Sequence, residues 1–208
     1  MRIAKAGYPL ILTAGFLSLL VLFLGWTAPA TVFALLALAF LGFFRDPERV
    51  SPPGEGLILS PADGKVVGIK QFDDGEVSDA ARRVSIFLSP LDVHVNRSPI
   101  QGEVKEITYQ KGGFIPAYRD AASGGNERNA LTIVDAKGRK VGVVQIAGIV
   151  ARRIVCYVNI GDFLERGQRF GLIMFGSRVD LFLPKGAQVE IGEGQRVKGG
   201  VTVIGRFA

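Results

Sequence analysis

The sequence predicts a mainly β (α+β) fold, with an antiparallel β-sheet or barrel-sandwich domain that follows an N-terminal hydrophobic helical hairpin. Two observations lead to this prediction. The segment 6–44 contains no charged residue and is dominated by Leu, Ala and Phe. From residue 45 onward, charged residues, Gly-containing turns and short Val/Ile-rich segments alternate, which is typical of short strands. We therefore expect an anchoring hairpin over 1–50 and one β-rich domain over 51–208, which is long enough for one hydrophobic core.

The apolar N-terminus is best explained by two helices. It is too long for a secretory signal peptide and has no small-residue cleavage site. One helix over 6–44, at about 1.5 Å per residue, would far exceed a hydrocarbon core of about 30 Å. Gly25-Trp26-Thr27-Ala28-Pro29 interrupts the run, which predicts helices over 9–26 and 29–44. Both are near the lower length limit for a span, so a re-entrant hairpin and a buried helical pair of a soluble protein are alternatives.

The distribution of charge predicts a membrane partner. The net charge is +6, and Arg2 and Lys5 precede the apolar segment whereas Arg45 and Arg49 follow it. The positive-inside bias places both ends, and the domain after them, on the cytoplasmic face of the cell membrane. The same positive charge suits anionic lipid surfaces. No basic run is interleaved with aromatic residues, so we expect no nucleic-acid partner.

The cysteine and histidine counts exclude two classes of site. One Cys excludes an internal disulfide framework, and a single His leaves too few ligands for a Cys/His zinc site. We therefore predict no metal. Cys156 lies among Ile and Val residues, which predicts a buried, inert thiol.

Short strands account for most of the remaining sequence. Asp46-Pro47 ends the second helix, because proline disfavours the helical region for the residue before it. The segment 112–125 is a Gly- and Ala-rich loop with Tyr118 and Arg119, of a kind that often borders a site. The expected strands are Gly56–Ile69 with a turn at Asp63-Gly64, Val84–Leu88, Gly102–Tyr109, Ala130–Val134, Lys140–Ile146 after a Lys137-Gly138 turn, Ile149–Ile160, Gly171–Phe175, Val179–Leu183 and Val201–Gly205.

The dipeptide Gly176-Ser177 can react with its own backbone. The Ser177 hydroxyl can attack the Gly176 carbonyl and convert the amide into an ester. Elimination across that ester leaves dehydroalanine, which hydrolyses to a pyruvoyl group at a new N-terminus. Gly176 has no Cβ to hinder the attack and tolerates strained dihedral angles. With 27 Gly in the chain, such a dipeptide is more often an ordinary turn, so the surrounding motifs decide the matter.

Two further segments supply groups that can activate a serine. His94, the sole histidine, lies in a loop that Pro90 and Pro99 stiffen. Asp63 lies at the predicted strand turn. A nucleophile, a base and a carboxylate that orients the base are what activation of a serine hydroxyl at neutral pH requires. Against this, a lone histidine is more often structural, and a turn aspartate usually bonds its own backbone.

Four separated motifs occur in one order along the chain. They are Ser60-Pro61-Ala62-Asp63-Gly64, Ser89-Pro90-Leu91-Asp92-Val93-His94, Asn126-Glu127-Arg128, and the run from Arg166 to Val179, which reads Gly, three residues, Gly, four residues, Gly-Ser, any residue, Val. Together they resemble the phosphatidylserine decarboxylases of the short bacterial or archaeal type. The resemblance covers nearly the whole chain after the hairpin.

This resemblance implies a self-cleaving proenzyme. Ser177 is implied to be the self-cleavage nucleophile and the precursor of a covalent pyruvoyl cofactor. Cleavage between Gly176 and Ser177 gives a β subunit, 1–176, and an α subunit, 177–208. The implied reaction converts phosphatidylserine to phosphatidylethanolamine and CO2 through a Schiff base with the pyruvoyl group. The implied partners are the phospholipid substrate, the membrane and the two fragments, with a homodimer as a candidate assembly.

The resemblance also assigns roles to two other residues. Asp63 and His94 are implied to assist self-cleavage, with His94 as general base and as proton donor after decarboxylation. Long-type members carry a second His three positions after the first, where this chain has Arg97. Arg97 and the pair Arg152-Arg153 are weak candidates for binding phosphate. The apolar residues of the cleavage motif could face lipid or form an ordinary buried strand: Phe170, Ile173, Met174 and Phe175.

Two alternatives stay open. An archaetidylserine decarboxylase would use the same chemistry on ether lipids. A membrane-anchored carrier module of the biotinyl or lipoyl type is suggested by the Gly-Asp…Gly-Gln spacing in 161–168. However, this chain has no lysine in the short hairpin that attachment of a swinging cofactor requires. The carrier interpretation also leaves His94 and Gly176-Ser177 unexplained.

Overall fold

The computed structural model describes residues 2–72, 80–113, 115–116, 122–148 and 153–208. Tyr118, Arg119 and Arg152 lie outside these ranges. The chain divides into two compact units, Met1–Glu48 and Arg49–Ala208. Strand accounts for 42% of the structure and helix for 21%, and the sheets are antiparallel. The predicted mainly β fold class is therefore confirmed.

The first unit is a helical hairpin. Helix α1 spans Tyr8–Phe23 and helix α2 spans Thr27–Phe43. Ala14 and Ala30 are buried, and small residues of this kind let two apolar helices approach closely. The Ser18 hydroxyl donates a hydrogen bond of 2.8 Å to the Ala30 carbonyl oxygen. Close packing and this interhelical bond hold the hairpin together.

The helix boundaries differ slightly from those expected. Helix α2 begins at Thr27, so Pro29 lies in its first turn rather than at its first residue. The position is tolerated because first-turn N–H groups have no acceptor within the helix. The stretch Lys5–Phe23 is long and apolar enough to cross a membrane, with a mean hydropathy of 2.0, whereas Thr27–Phe43 is shorter. Many large apolar side chains of both helices are exposed, as in Phe16 of α1 and Leu35 of α2. The first of the two helices is thus suited to anchoring the chain in a membrane.

Short strands build the second unit. In chain order, starting with a pair in the first unit, the strands are β1 Arg2–Ile3, β2 Arg45–Asp46, β3 Leu57–Leu59, β4 Gly64–Gln71, β5 Ala80–Leu88, β6 Val95–Arg97, β7 Gly102–Gln110, β8 Arg128–Val134, β9 Lys140–Ile146, β10 Ile154–Cys156, β11 Phe163–Leu164, β12 Arg169–Ile173, β13 Ser177–Pro184, β14 Ala187–Val189, β15 Arg196–Val197 and β16 Val203–Phe207. A short helix, α3, spans Ala122–Gly125.

Three sheets make up this unit within the described ranges. The largest has eight strands in the order β11-β7-β8-β9-β13-β5-β4-β15. The other two have three strands each, in the orders β10-β12-β6 and β14-β16-β3. The main hydrophobic core lies on one face of the large sheet. There, Val84 and Ile86 of β5 pair with Leu181 and Val179 of β13, and all four side chains are fully buried.

The first predicted strand pair is arranged differently from the expectation. The segment Gly56–Ile69 does contain two strands, β3 and β4, but they belong to different sheets. Strand β3 pairs with β16, near the end of the chain, and β4 pairs with β5. The residues between them, including Asp63, therefore cross from one sheet to another instead of forming a hairpin turn.

Gly64, at the start of β4, fits only without a side chain. A Cβ there would lie 2.1 Å from the Phe87 carbonyl oxygen, and the φ of Gly64 is 152°. We expect Gly64→Ala to destabilise the protein by about 3 kcal/mol. Gly68→Ala is the matched control in the same strand, because no atom lies within 4 Å of its Cβ. Thermal unfolding of the full chain in detergent should show a large loss for the first variant only, and equal losses would contradict this account of β4.

Candidate active site

Three strand ends bring the predicted site segments to one edge of the large sheet, namely the edge formed by the ends of the strands and not by an outer strand. Strand β13 begins at Ser177, which pairs with Leu88, the last residue of β5. Strand β4, on the other side of β5, begins at Gly64, so Asp63 directly precedes it. The segment that follows Leu88 carries His94. The register of three neighbouring strands therefore gathers motifs that are far apart in sequence.

Two connections between the large sheet and a three-stranded sheet lie side by side at this edge. One runs from β5 to β6 and contains His94, and the other runs from β12 to β13 and contains Gly176. Strands β6 and β12 pair in the three-stranded sheet, and the Ile173 N–H donates to the His94 carbonyl oxygen at 3.3 Å. The backbone of His94 thus lies against the strand that leads into the Gly-Ser bond.

Ser177 occupies a dry position. It continues the inward-facing row of Val179 and Leu181 in β13, and it is fully buried. Its Oγ has no hydrogen-bond partner among the described residues. A hydroxyl in such surroundings is not solvated by water, and it is available to react with a neighbouring group.

The backbone before Ser177 adopts an unusual conformation. Phe175 has a φ of 55° and Gly176 a φ of 61°, so two successive residues lie in the left-handed region. Phe175 is the sole non-Gly residue with positive φ among the described residues. This conformation costs a residue with a side chain about 1–3 kcal/mol. The Gly-Ser bond is therefore preceded by a strained residue.

The hydrogen bonding of His94 determines which ring nitrogen can act as a base. His94 is fully buried, and its Nδ1 lies 2.9 Å from the Asp92 carbonyl oxygen. A carbonyl oxygen can only accept, so Nδ1 carries a hydrogen, and Nε2 is the nitrogen that can act as a base when the ring is neutral. Side-chain bonds fix the loop, since Asp92 Oδ2 accepts from the Ser89 N–H at 2.9 Å and the Ser89 hydroxyl at 2.7 Å.

Asp63 reaches the same edge, but its carboxylate is engaged elsewhere. Both carboxylate oxygens accept from Arg49, one of them at 2.7 Å, and Oδ1 also accepts from the Gly199 N–H at 2.8 Å. The side chains of Asp63 and Arg49 are nearly buried, with 13% and 10% exposed. The hydrogen bonds of Asp63 thus go to Arg49 and Gly199 and not to His94.

A chain of buried amides near Ser177 was missed by sequence analysis. Asn129 Nδ2 donates to Gln145 Oε1 at 2.9 Å, and Gln145 Nε2 donates to Asn96 Oδ1 at 2.8 Å. All three side chains are buried. The available signal was weak: Asn129 and Gln145 are single polar residues on the inward rows of strands that are otherwise apolar there, and one sequence does not show which row faces inward.

The weaker candidates for contact with phosphate or lipid differ in their burial. Arg97 is buried, and its Nη1 donates to the Gly167 carbonyl oxygen at 3.0 Å. Arg153 is exposed. Phe170 and Ile173 are fully buried members of the core, which favours the ordinary-strand interpretation of the cleavage motif for both.

Two further observations concern the Cys156 thiol and possible metal ligands. Cys156 is only partly buried, contrary to the expectation of a buried thiol, because the short strand β10 lies at a sheet edge. In the described part of the chain, no group of three or more His, Cys, Asp or Glu side chains is arranged to hold a metal ion.

Comparison with known proteins identifies the family. The family model for phosphatidylserine decarboxylase matches residues 36–205. A phosphatidylserine decarboxylase proenzyme of Nitrosomonas eutropha is 46% identical over 206 residues, covering 99% of this chain and 95% of that protein. Proenzymes of the same name from Syntrophus aciditrophicus and Geotalea uraniireducens are 44% and 41% identical, covering 99% and 98% of this chain and 97% and 95% of their own. The chain belongs to the phosphatidylserine decarboxylase family, which confirms the resemblance seen in its motifs.

The loop that carries His94 should depend on pH through Asp92. Burial alone raises the pKa of Asp92, but hydrogen bonds from Ser89 and the Arg196 guanidinium outweigh it and bring the pKa below the ordinary value of 3.8. A carboxylate with a lowered pKa stabilises the fold above its ordinary pKa and loses that contribution as the pH falls through the lowered value.

We therefore expect Asp92→Asn to lower the unfolding temperature near neutral pH, and the difference from the wild type to shrink below about pH 4. Thermal unfolding at several pH values measures this difference. Glu55→Gln, at an exposed position, is the control. A difference that stays constant from neutral to acid pH would contradict the assigned role of the Asp92 carboxylate.

Proposed function

We propose that this chain is a phosphatidylserine decarboxylase proenzyme that cleaves itself between Gly176 and Ser177 and then converts phosphatidylserine to phosphatidylethanolamine and CO2. Membership of the family supports the reaction, and the relatives are named as proenzymes. The observation that carries the cleavage site is the buried hydroxyl of Ser177, which directly follows two left-handed residues.

Self-cleavage would begin with an acyl shift. The Ser177 hydroxyl adds to the Gly176 carbonyl carbon, its proton passes to a base, and the former carbonyl oxygen takes the negative charge. The carbon–nitrogen bond then breaks, the Ser177 nitrogen takes a proton, and an ester remains. His94 is the proposed base, because its Nε2 can accept a proton when the ring is neutral and its loop runs beside the strand that enters the cleavage motif.

Burial of Ser177 favours elimination from the ester over hydrolysis of the ester. The α-proton of residue 177 is removed, and the Gly176 carboxylate leaves as dehydroalanine forms. Water reaching the ester earlier would restore an ordinary serine at the new N-terminus. A site that excludes water suppresses such hydrolysis of a reactive intermediate. Later addition of water to dehydroalanine releases ammonia and leaves the pyruvoyl group.

The two proposed fragments would stay associated after the cut. Strand β13 lies between β5 and β9, and it is hydrogen-bonded to both. Strand β16, from the same end of the chain, pairs with β3. Fragment 177–208 therefore supplies central or paired strands to two sheets, and separating it would expose much of the core.

A pyruvoyl group at residue 177 would supply a ketone that condenses with the amine of the serine headgroup and withdraws electrons as CO2 leaves. The residues around position 177 fit such a group, because Val179, Leu181 and Leu88 keep the position apolar and dry. His94 is the proposed donor of the proton that replaces CO2. The hairpin would hold the domain at the cytoplasmic face of the membrane, as the flanking Arg and Lys residues suggest.

Reductive trapping tests the proposed site. Cyanoborohydride added to the wild-type protein with phosphatidylserine should attach the lipid covalently to fragment 177–208. Ser177→Ala should stay uncleaved, release no CO2 and trap no lipid, because it lacks the reacting hydroxyl. Mass spectrometry of the separated fragments identifies the labelled one. Lipid attached only to fragment 1–176 would refute the assignment of Ser177.

The strained residue before the bond gives a second prediction. Phe175→Gly should relieve the left-handed strain and stabilise the uncleaved protein by about 1 kcal/mol, as measured by thermal unfolding in a Ser177→Ala background. If the strain promotes the acyl shift, the same change in the reactive protein should slow cleavage several-fold. Phe170→Leu, in the buried strand before it, is the control for loss of an aromatic ring. Faster cleavage in Phe175→Gly would contradict this role of the strain.

A further inference from the structure

We propose that Asn96 is a further residue of the reaction centre, whose side-chain amide donates a hydrogen bond to the oxygen that becomes negative during the acyl shift. This inference rests on the proposed self-cleavage at Gly176-Ser177. It starts from an unusual feature of the buried amide chain. Asn96 Nδ2 is buried and has no hydrogen-bond partner among the residues that the structure describes. Buried amide donors are nearly always paired, so such a donor requires an explanation.

Strand register puts the amide chain beside Ser177. Gln145 pairs with Val179 in the register of β9 and β13. Ser177 lies two residues before Val179, so Gln145 and Ser177 face the same side of the sheet as diagonal neighbours, about 7–8 Å apart at their Cα atoms. The side chain of Gln145 then extends from this face to Asn96 in the neighbouring sheet.

Asn96 also belongs to the segment that carries the proposed base. It follows His94 by two residues, a spacing that puts both side chains on the same side of an extended backbone. It pairs with Gly171 in the cleavage motif. A Cβ at Gly171 would lie 2.8 Å from Gln145 Nε2, so the missing side chain there makes room for the amide chain.

The hydrogen bonds of the chain fix the direction of the Asn96 amide. Gln145 Oε1 accepts from Asn129, so its Nε2 must face Asn96 and can only donate. Asn96 therefore turns Oδ1 toward Gln145 and Nδ2 away from it. The result is an oriented donor in the dry interior that the Ser177 hydroxyl also faces. An oriented, desolvated donor of this kind is what stabilises an oxyanion.

The inference predicts a selective loss of self-cleavage. Asn96→Asp keeps the size and the acceptor for Gln145 but removes the donor, so the α fragment should appear about a hundredfold more slowly. Gln145→Glu should have the same effect without changing Asn96. A carboxylate at position 145 only accepts, so the Asn96 amide would turn its donor toward residue 145 to pair with it. Ser85→Ala is the control, because Ser85 is a buried polar residue of β5 that faces the other side of the large sheet, and the change should leave the rate unaltered.

The rate is measured by intact mass on newly synthesised full-length chains followed over time. Hydroxylamine, which cleaves esters but not amides, identifies the slow step. If Asn96 assists the acyl shift, its variants should accumulate no hydroxylamine-sensitive ester. Thermal unfolding of each variant in a Ser177→Ala background separates a loss of folding from a loss of chemistry.

The outcomes distinguish this inference from the proposed function. Failure of the wild-type chain to cleave at Gly176-Ser177 would overturn both. Normal wild-type cleavage, together with Asn96→Asp and Gln145→Glu chains that cleave at the wild-type rate, would overturn the role of Asn96 alone. The same holds if Ser85→Ala slows cleavage as much as Asn96→Asp does, since the loss would then not be specific to the amide chain.

Discussion

The position of strand β13 between β5 and β9 is the constraint on which the rest of the structure depends. Its first residue is Ser177, and its pairing with Leu88 sets which end of the sheet that residue occupies. The same register turns Ser177 toward the core, in line with Val179 and Leu181. A shift by one residue would turn every side chain of the strand to the other face and take the hydroxyl away from the apolar core. The register of β13 therefore sets the burial of the Ser177 hydroxyl.

A nearly buried ion pair engages the carboxylate of Asp63, the residue that the sequence suggested as an assistant in self-cleavage. Asp63 and Arg49 form a nearly buried pair, and the Gly199 N–H adds a third hydrogen bond. Removing one partner of such a pair typically costs about 3–5 kcal/mol, because the other charge is left buried. The pair ties the start of the domain to the crossing before β4. Loss of activity on changing Asp63 therefore has a structural explanation as well as a chemical one.

The sequence allowed the fold class and the family to be predicted correctly. The uncharged segment 6–44 indicated the hairpin, and most strands were found within a few residues because β-branched residues alternate with turn signals. The pairing of strands was harder. Asp63-Gly64 suggested a local hairpin, but β3 and β4 join different sheets through contacts with distant segments. No local pattern encodes a partner that lies far along the chain.

The segments of the candidate site could be predicted where motifs mark them, and not where packing alone brings residues together. Gly176-Ser177 and His94 lie in recognisable motifs, and the structure brings their segments to one edge. The tautomer of His94 depends on a backbone carbonyl, that of Asp92, which carries no sequence signal. The amide chain through Gln145 depends on which face of β9 is inward and on a contact between two sheets. Such features emerge only from the three-dimensional arrangement.

The most direct test of the central claim is the intact mass of the purified, active wild-type protein. We predict two polypeptides, 1–176 and 177–208, with the smaller one lighter than its encoded sequence by one ammonia and resistant to Edman degradation. That result is expected for a pyruvoyl group made from Ser177. An active protein that consists of one unbroken chain, or a smaller fragment that begins with ordinary serine, would contradict the account.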